Sequence, residues 1–445
     1  MASIGASSTV RTPLLKEECG REYLSMEGIT TATFFGATID RAVLDARCAA
    51  LLAANPWLGG RLSKEKKEER VHLVHGDVSP AVLFERVVVH AEVVPDGPKG
   101  KMPKSVPLGR VRSVDPTMSA MEIGARLSDT PTTVTPGSKL IKSGDAVCRI
   151  TFAPWVAATG PAQPPNDPHR AQLGSGGTVM IFSLSHAVAD GGTYYMLVNM
   201  LMDGATPQPL AVDRVDAFSE QVYPAIGEDK KKWMESTGVM ANIVGTIVFK
   251  KAPTVVVFPV DNDRVATIKQ AAVAAKRVVY VSTNDIVTSA FCRATDADWC
   301  MMAINMRRRL PCLPDANVAG NYEYVLHYTR SDFASPSLIR ASLTPVNGVY
   351  RGAGEPQEKL PGCWGAMRLR PCMITNWATD AADVMMISGT EDVLHVPVVS
   401  TTMTGMNFGI IFRAHRGQTA LMMFGWKATL DAMSTLPETP FAGPW

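Results

Sequence analysis

The sequence predicts an α/β protein in two halves, and three observations carry that expectation. Strand-like and helix-like segments alternate on both sides of a charged stretch, GEDKKKW at 227–233. Several strand-like runs are short, apolar and bounded by glycine, as strands buried on both faces are. The 445 residues also exceed one ordinary core, so two domains or one intertwined pair are expected. The division they suggest is 1–205, a crossover at 206–255, and 256–445. No fixed short repeat runs through the chain.

In the first half, TTATFFG at 30–36 reads as a strand, and RAVLDARCAALLAAN at 41–55 as an amphipathic helix. PWLGGRL stops that helix with a proline and turns the chain with two glycines. RVHLVHGD and AVLFERVVVHAEVV are rich in β-branched residues and read as strands. Residues 94–140 are rich in Pro, Gly, Ser and Thr and read as long surface loops, as does the Pro-rich stretch 156–177. AVCRITFAPW and GTVMIFSLS read as strands, and the second delivers His186 at its end. Tyr194, Leu197, Val198 and Leu201 then mark one helical face. In the second half a strand is expected from Val257, then a helix at DRVATIKQAAVAA and a strand at RVVYVS. A helix at TNDIVTSAFCRAT follows, with Thr283 or Asn284 as its cap. MMAINM ends that series as an apolar strand before Arg307, Arg308 and Arg309.

Composition narrows the function. Hydrophobic residues at 46% and charged residues at 19% describe a globular chain. A formal charge of +2 gives no argument for nucleic acid or an anionic membrane as partner. The eight cysteines, at 19, 48, 148, 292, 300, 312, 363 and 372, contain no C-x-x-C, which points away from zinc ribbons and disulfide frameworks. A reducing, cytoplasmic compartment is therefore expected, with no bound metal. The N-terminus lacks the apolar core of a signal peptide, and the charge-poor run 393–412 is broken by His395, Pro397 and Asn407. No G-x-S-x-G elbow, H-E-x-x-H helix, P-loop or G-x-G-x-x-G occurs. Asp261 with Asp263, and Asp296 with Asp298, are paired acids of a common loop type and weak candidates for a metal–nucleotide site.

The stretch IFSLSHAVADGG is different. A histidine at a strand end is usually structural, and an aspartate before a helix is ordinary capping chemistry. Yet eight His and 35 Gly in 445 residues make H-x-x-x-D-G rare, with on the order of 0.03 chance matches expected. A buried strand running into a tight turn can fix an imidazole at the mouth of a cleft. Neutral histidine there can take a proton from an attacking hydroxyl or amine. Asp190 sits too near along the turn to face the ring, so it needs a cation to hold it. One of the three arginines at 307–309 is the candidate, as a bidentate partner across the two halves.

These residues resemble the H-x-x-x-D-G motif of the BAHD acyltransferases, relatives of chloramphenicol acetyltransferase and of peptide-synthetase condensation domains. Further segments resemble that family in the same order along most of the chain. Asn55 to Leu62 is similar to its "YPLAGRL", Asn305 to Leu310 to its "VDVRSRL", and Pro314 to Asn321 to its "LP-x-GYFGN". Thr375-Asn376-Trp377 resembles its "SSW" element. The "DFGWG" element is altered, with Asn407-Phe408-Gly409-Ile410-Ile411 as its best counterpart, which suggests a diverged branch. Phe424-Gly425-Trp426-Lys427 looks closer but runs into KATLDAM, similar to the family's last strand-to-helix segment.

The resemblance implies two chloramphenicol acetyltransferase-like lobes, each a mixed sheet with flanking helices, and an active-site channel between them. It implies acyl-CoA as co-substrate, a small-molecule alcohol or amine as acceptor, a monomer, and a place in secondary metabolism. His186 would be the general base, with no acyl-enzyme required. Asp190, Gly191 and Arg307 would be structural, and Asn407, Phe408 and Gly409 would form a structural motif. Thr375, Asn376 and Trp377 are expected to line the donor region, and Lys250 and Lys251, or Lys230 to Lys232, to meet the CoA phosphates. Two other readings stay open. A carrier-protein thioester could be the donor, as in condensation domains, although those usually have two adjacent histidines and Ser185 precedes His186 here. A non-catalytic relative could also keep the fold.

Overall fold

A computed structural model describes residues 9–94, 107–128, 130–157, 175–249, 253–350, 360–399, 406–436 and 438–444. Two six-stranded mixed sheets dominate. The first runs, edge to edge, Met386–Ile387, Thr390–Pro397, Ile29–Phe35, Gly176–Leu184, Cys148–Val156 and Val88–His90. The second runs Thr254–Pro259, Gln418–Gly425, Asn407–His415, Pro371–Asn376, Trp299–Asn305 and Glu323–Thr329.

The period-2 alternation of the strands explains how the sheets stack. Along Gly176–Leu184, Met180, Phe182 and Leu184 enter a core shared with the helices Arg41–Ala54 and Gly191–Asn199. Val179 and Ile181 point the other way, into a cluster between the sheets. The second sheet mirrors this arrangement. Leu421 and Met423 face the helix Thr283–Ala294, whereas Ala420, Met422 and Phe424 enter the same inter-sheet cluster. Strands buried on both faces need apolar residues at every position, which is why they read as continuous apolar runs.

Several sequence expectations need correction. AVLFERV is not a strand but the helix Pro80–Val87, because Ser79 caps it and Pro80 occupies its first turn. The strands there are only Val88–His90 and Glu92–Val94. RVVYVS forms no strand; Val279 is 91% exposed, so its β-branched residues have no sheet to enter. The following helix is capped by Ser282, in a capping box with Asp285, and not by Thr283 or Asn284. The 94–140 region holds a strand, Arg110–Arg112, and the helices Ala120–Leu127 and Gly137–Ser143, the former started by a Ser119–Glu122 capping box. The crossover holds three helices, Ala217–Ile226, Glu228–Met234 and Thr237–Phe249, and the next strand starts at Thr254, ahead of Val257. Finally, residues 386–397 lie in the expected second half but pair with the first sheet at Ile29–Phe35. The Pro-rich stretch at 158–174 lies outside the described residues.

Candidate active site

His186 follows the central strand Gly176–Leu184 by two residues, in a turn that Ser185 ties down through its N–H to the Val147 carbonyl at 2.8 Å. Asp190 then starts the helix Gly191–Asn199, its Oδ1 accepting the Thr193 N–H at 2.8 Å. Gly192 leaves room there for the second lobe. A Cβ on it would sit 2.8 Å from Asn305 Nδ2 and 3.2 Å from Arg307 Nη1.

Arg307 fills that room. Its Nη1 donates to Asp190 Oδ2 at 2.7 Å, with both side chains at most 3% exposed. Every other N–H of the guanidinium is also occupied, by the carbonyls of Val318 and Gly320, by Asn305 Oδ1 and by Thr193 Oγ1. Asp190 Oδ2 accepts the Tyr322 N–H as well, at 2.8 Å. Burial alone would raise the Asp190 carboxyl; the Arg307 charge and these hydrogen bonds overcome it and hold the group below its ordinary value. Arg308 and Arg309 stay exposed. The pair locks the histidine turn of one lobe to the strand end of the other.

The imidazole is held from one side. His186 Nδ1 lies 3.1 Å from Asn321 Oδ1. Asn321 cannot turn its amide, because Nδ2 donates to Glu18 Oε1 at 3.0 Å and to the His186 carbonyl at 2.9 Å. Glu18 in turn is fixed by Arg214 Nε at 2.7 Å, both side chains being at most 1% exposed. Asn321 Oδ1 is thus an acceptor, so Nδ1 carries the proton and Nε2 carries the lone pair. Burial lowers the His186 pKa, against the raising effects of its backbone hydrogen bond, Asp190 and Asn321, which favours the neutral ring at neutral pH. The ring is not sealed: 19% of the side chain is exposed.

The free nitrogen faces an acid. His186 Nε2 lies 3.8 Å from Glu323 Oε1. Glu323 also lines a narrow, open cleft with Gly191, Asn305, Thr375, Trp377 and Asp380. Burial first, then the negative charge of Asp190, pushes the Glu323 carboxyl up to about 8, although Arg307 pulls it down. The same two causes push Asp380 up to about 6.

Of the residues singled out in the sequence, Thr375, Asn376 and Trp377 lie on this cleft with Asp190 and Gly191. The Trp377 indole approaches to 3.2 Å of where a Gly191 Cβ would stand, so glycine there makes space for it. Lys250 and Lys251 lie outside the described residues. Lys231 caps the Tyr223 ring at 3.6 Å and Lys232 pairs with Glu228, both away from the cleft lining. Asn407, Phe408 and Gly409 begin a buried strand, paired in parallel with Pro371–Asn376. Phe424 and Gly425 end the next strand, and Lys427 opens the helix Lys427–Thr435. Asp261 caps a helix, while Asp296 and Asp298 pair with Arg330 and Arg370. Sequence reasoning missed Glu18, Arg214, Glu323 and Asp380. Its closest signal was the Gly320-Asn321 segment, two residues before Glu323.

No family model matches the chain, and no curated protein matches it. Among solved structures, F. graminearum TRI101 complexed with coenzyme A and deoxynivalenol aligns at TM-score 0.59 and 12% identity, over 98% of this chain and 99% of that one. The first condensation domain of the calcium-dependent antibiotic synthetase, in complex with a substrate analogue, aligns at 0.52 and 13%, over 94% and 91%. Polyketide synthase associated protein 5 from Mycobacterium tuberculosis aligns at 0.51 and 14%, over 97% of each chain. The fold is therefore the two-lobed, mixed α/β one of chloramphenicol acetyltransferase-like proteins. Within that class it is similar to BAHD-type and condensation-domain structures at low sequence identity. Among the described residues no helix is long and apolar enough to cross a membrane.

Proposed function

We propose that this protein is an acyl-CoA-dependent acyltransferase, moving an acyl group from a CoA thioester to a hydroxyl or amine of a small-molecule acceptor. The observation that carries the reading is the state of His186: Nδ1 is bound to Asn321, and Nε2, with no hydrogen bond among the described residues, lies 3.8 Å from Glu323, which lines a cleft. In this reading Nε2 takes the acceptor's proton as the acceptor attacks the thioester carbonyl. The tetrahedral adduct collapses, and the imidazolium returns the proton to the CoA thiolate. Proximity of two bound substrates supplies much of the rate, so no covalent enzyme intermediate is needed. Asp190 and Arg307 act as structure, setting the turn. Thr375, Asn376 and Trp377 serve the donor side of the cleft. The fold-level likeness to a protein solved with coenzyme A and deoxynivalenol together supports a CoA thioester and a small-molecule acceptor as the pair. We place the enzyme in the cytoplasm, as a monomer of secondary metabolism.

The test is thiol release from a panel of acyl-CoAs and acceptors, with products identified by mass spectrometry. His186→Ala should lower turnover at least about a hundredfold while leaving the melting temperature within a few degrees. Undiminished transfer by that variant would sink the reading. The condensation-like alternative rests on the second structural likeness; thiol release from a carrier-protein thioester, with none from free acyl-CoA, would decide for it.

A further inference from the structure

The surroundings of Nε2 say more about the acceptor than the fold does. We propose that the acceptor is a primary amine that arrives as its ammonium, with Glu323 taking the first proton and His186 the second. The proposal rests on the acyl-transfer reading above and narrows its substrate class.

An alcohol gives up one proton when it becomes an ester, and one base suffices. An ammonium must lose two protons to become an amide, and the first must go before nitrogen has a lone pair for attack. The site offers two acceptors 3.8 Å apart, His186 Nε2 and Glu323 Oε1, too far to bond each other and spaced so that one nitrogen could reach both. The charge balance agrees. Glu323 is faced by His186, Asp190, Asp380, Arg307 and the Tyr23 hydroxyl. Arg307 has every N–H engaged elsewhere, and among the described residues no Lys or Arg pairs with Glu323 or Asp380. The cleft thus carries two acids raised by burial and by Asp190, and among the described residues the one cation that acts on them, Arg307, has its N–H groups engaged elsewhere. A bound ammonium supplies a cation that can pair with them.

The steps balance. On binding, the ammonium displaces the Glu323 proton to solvent, leaving a carboxylate beside it. That carboxylate removes one ammonium proton, forming a neutral amine and a carboxylic acid. The amine lone pair attacks the thioester carbonyl, forming the C–N bond. Nε2 removes the second proton, the C–S bond breaks, and the CoA thiolate leaves with the proton from Nε2. Glu323 keeps the ammonium's first proton and so ends in the acid form from which it began, and one proton per turnover reaches solvent. A carboxyl near 8 is a better match to an alkylammonium, with a pKa near 10, than an ordinary glutamate would be.

The experiment pairs acceptors that share a carbon skeleton, such as tryptamine with tryptophol, phenethylamine with phenethyl alcohol, and 1,4-diaminobutane with 1,4-butanediol. Acetyl-, malonyl- and benzoyl-CoA are the donors, and thiol release and product mass are read from pH 6 to 10. The same amines are titrated calorimetrically into donor-free protein, in two buffers of different ionisation heat. Amides should form at least about tenfold faster than esters, and amine binding should release a proton below pH 8. Glu323→Gln should lower amine kcat/KM about a hundredfold near pH 7, with the loss shrinking toward pH 10 as solution supplies neutral amine. Glu323→Asp should recover part of the rate with the same pH trend. A merely structural Glu323 would give a loss that is equal at every pH, and that result overturns the proposal. So does faster ester formation, which leaves acyl transfer standing. If no donor releases thiol, Glu323-dependent amine binding with proton release keeps the amine site and sinks the transfer reading. Absence of both overturns the amine site as well.

Discussion

The two nitrogens of the His186 ring stand in opposite surroundings. On the Nδ1 side every polar group is answered: Asn321 by Glu18 and the His186 carbonyl, Glu18 by Arg214, and Arg214 by the carbonyls of Val188, Val212 and Ala319. On the Nε2 side stand Glu323 and Asp380, both pushed upward by burial. The first side resembles a protein interior, and the second an interior waiting for a guest. Fully satisfied polar networks rigidify, whereas groups with shifted proton affinities mark places where protons move. The difference separates the half of the site that orients from the half that reacts.

The largest effect should come from the ring itself. His186→Ala should cost about a hundredfold to ten-thousandfold in kcat, the usual worth of a positioned base, with little change in melting. Next is the lock between the lobes. Removing one partner of a buried pair, as in Asp190→Asn or Arg307→Met, should cost about 3–5 kcal/mol in denaturant unfolding, and unchanged unfolding would disprove its structural role. On the orienting side, Asn321→Ala frees Nδ1, so the ring can adopt the other tautomer. We expect kcat to drop about tenfold or more while KM holds, and a loss in KM alone would contradict the tautomer argument. The reacting side predicts a smaller effect that depends on pH. The fold prefers Glu323 neutral, so its stabilising contribution is whole below the ordinary glutamate value of 4.5 and fades as pH rises through about 8. Wild-type melting should therefore fall between about pH 5 and 8 by more than that of Glu323→Gln, and the two should run parallel above that, as read by thermal scans.

That division also marks what the sequence could tell. His186, Asp190 and Gly191 lie together in a short motif, and the strand before them is apolar because both its faces are covered. Arg307 was legible as a cation at a strand end, although only the fold distinguishes it from exposed Arg308 and Arg309. Glu18 and Glu323 carry no such signal. Glu18 reaches Asn321 across 303 positions of sequence, and a glutamate on a strand looks like a solvated one until the other lobe covers it. Secondary structure failed for a related reason. AVLFERVVV and RVVYVS have similar β-branched content, yet Ser79-Pro80 turns part of the first into a helix, and no neighbouring strand receives the second. Propensity describes a residue's taste for a pleated surface, and the surface has to be supplied from elsewhere.

The strand Thr390–Pro397, lent by the late part of the chain to the sheet that carries the histidine, has a consequence for biosynthesis. While a ribosome is still making residues before 390, the Ile29–Phe35 strand has a bare flank, and bare flanks invite pairing with other chains. The nascent lobe would stay aggregation-prone until nearly the whole polypeptide has emerged, so domain-by-domain maturation is closed to it. Expressing residues 1–205 alone should yield insoluble material, whereas adding a 386–397 peptide in trans should restore it to solution.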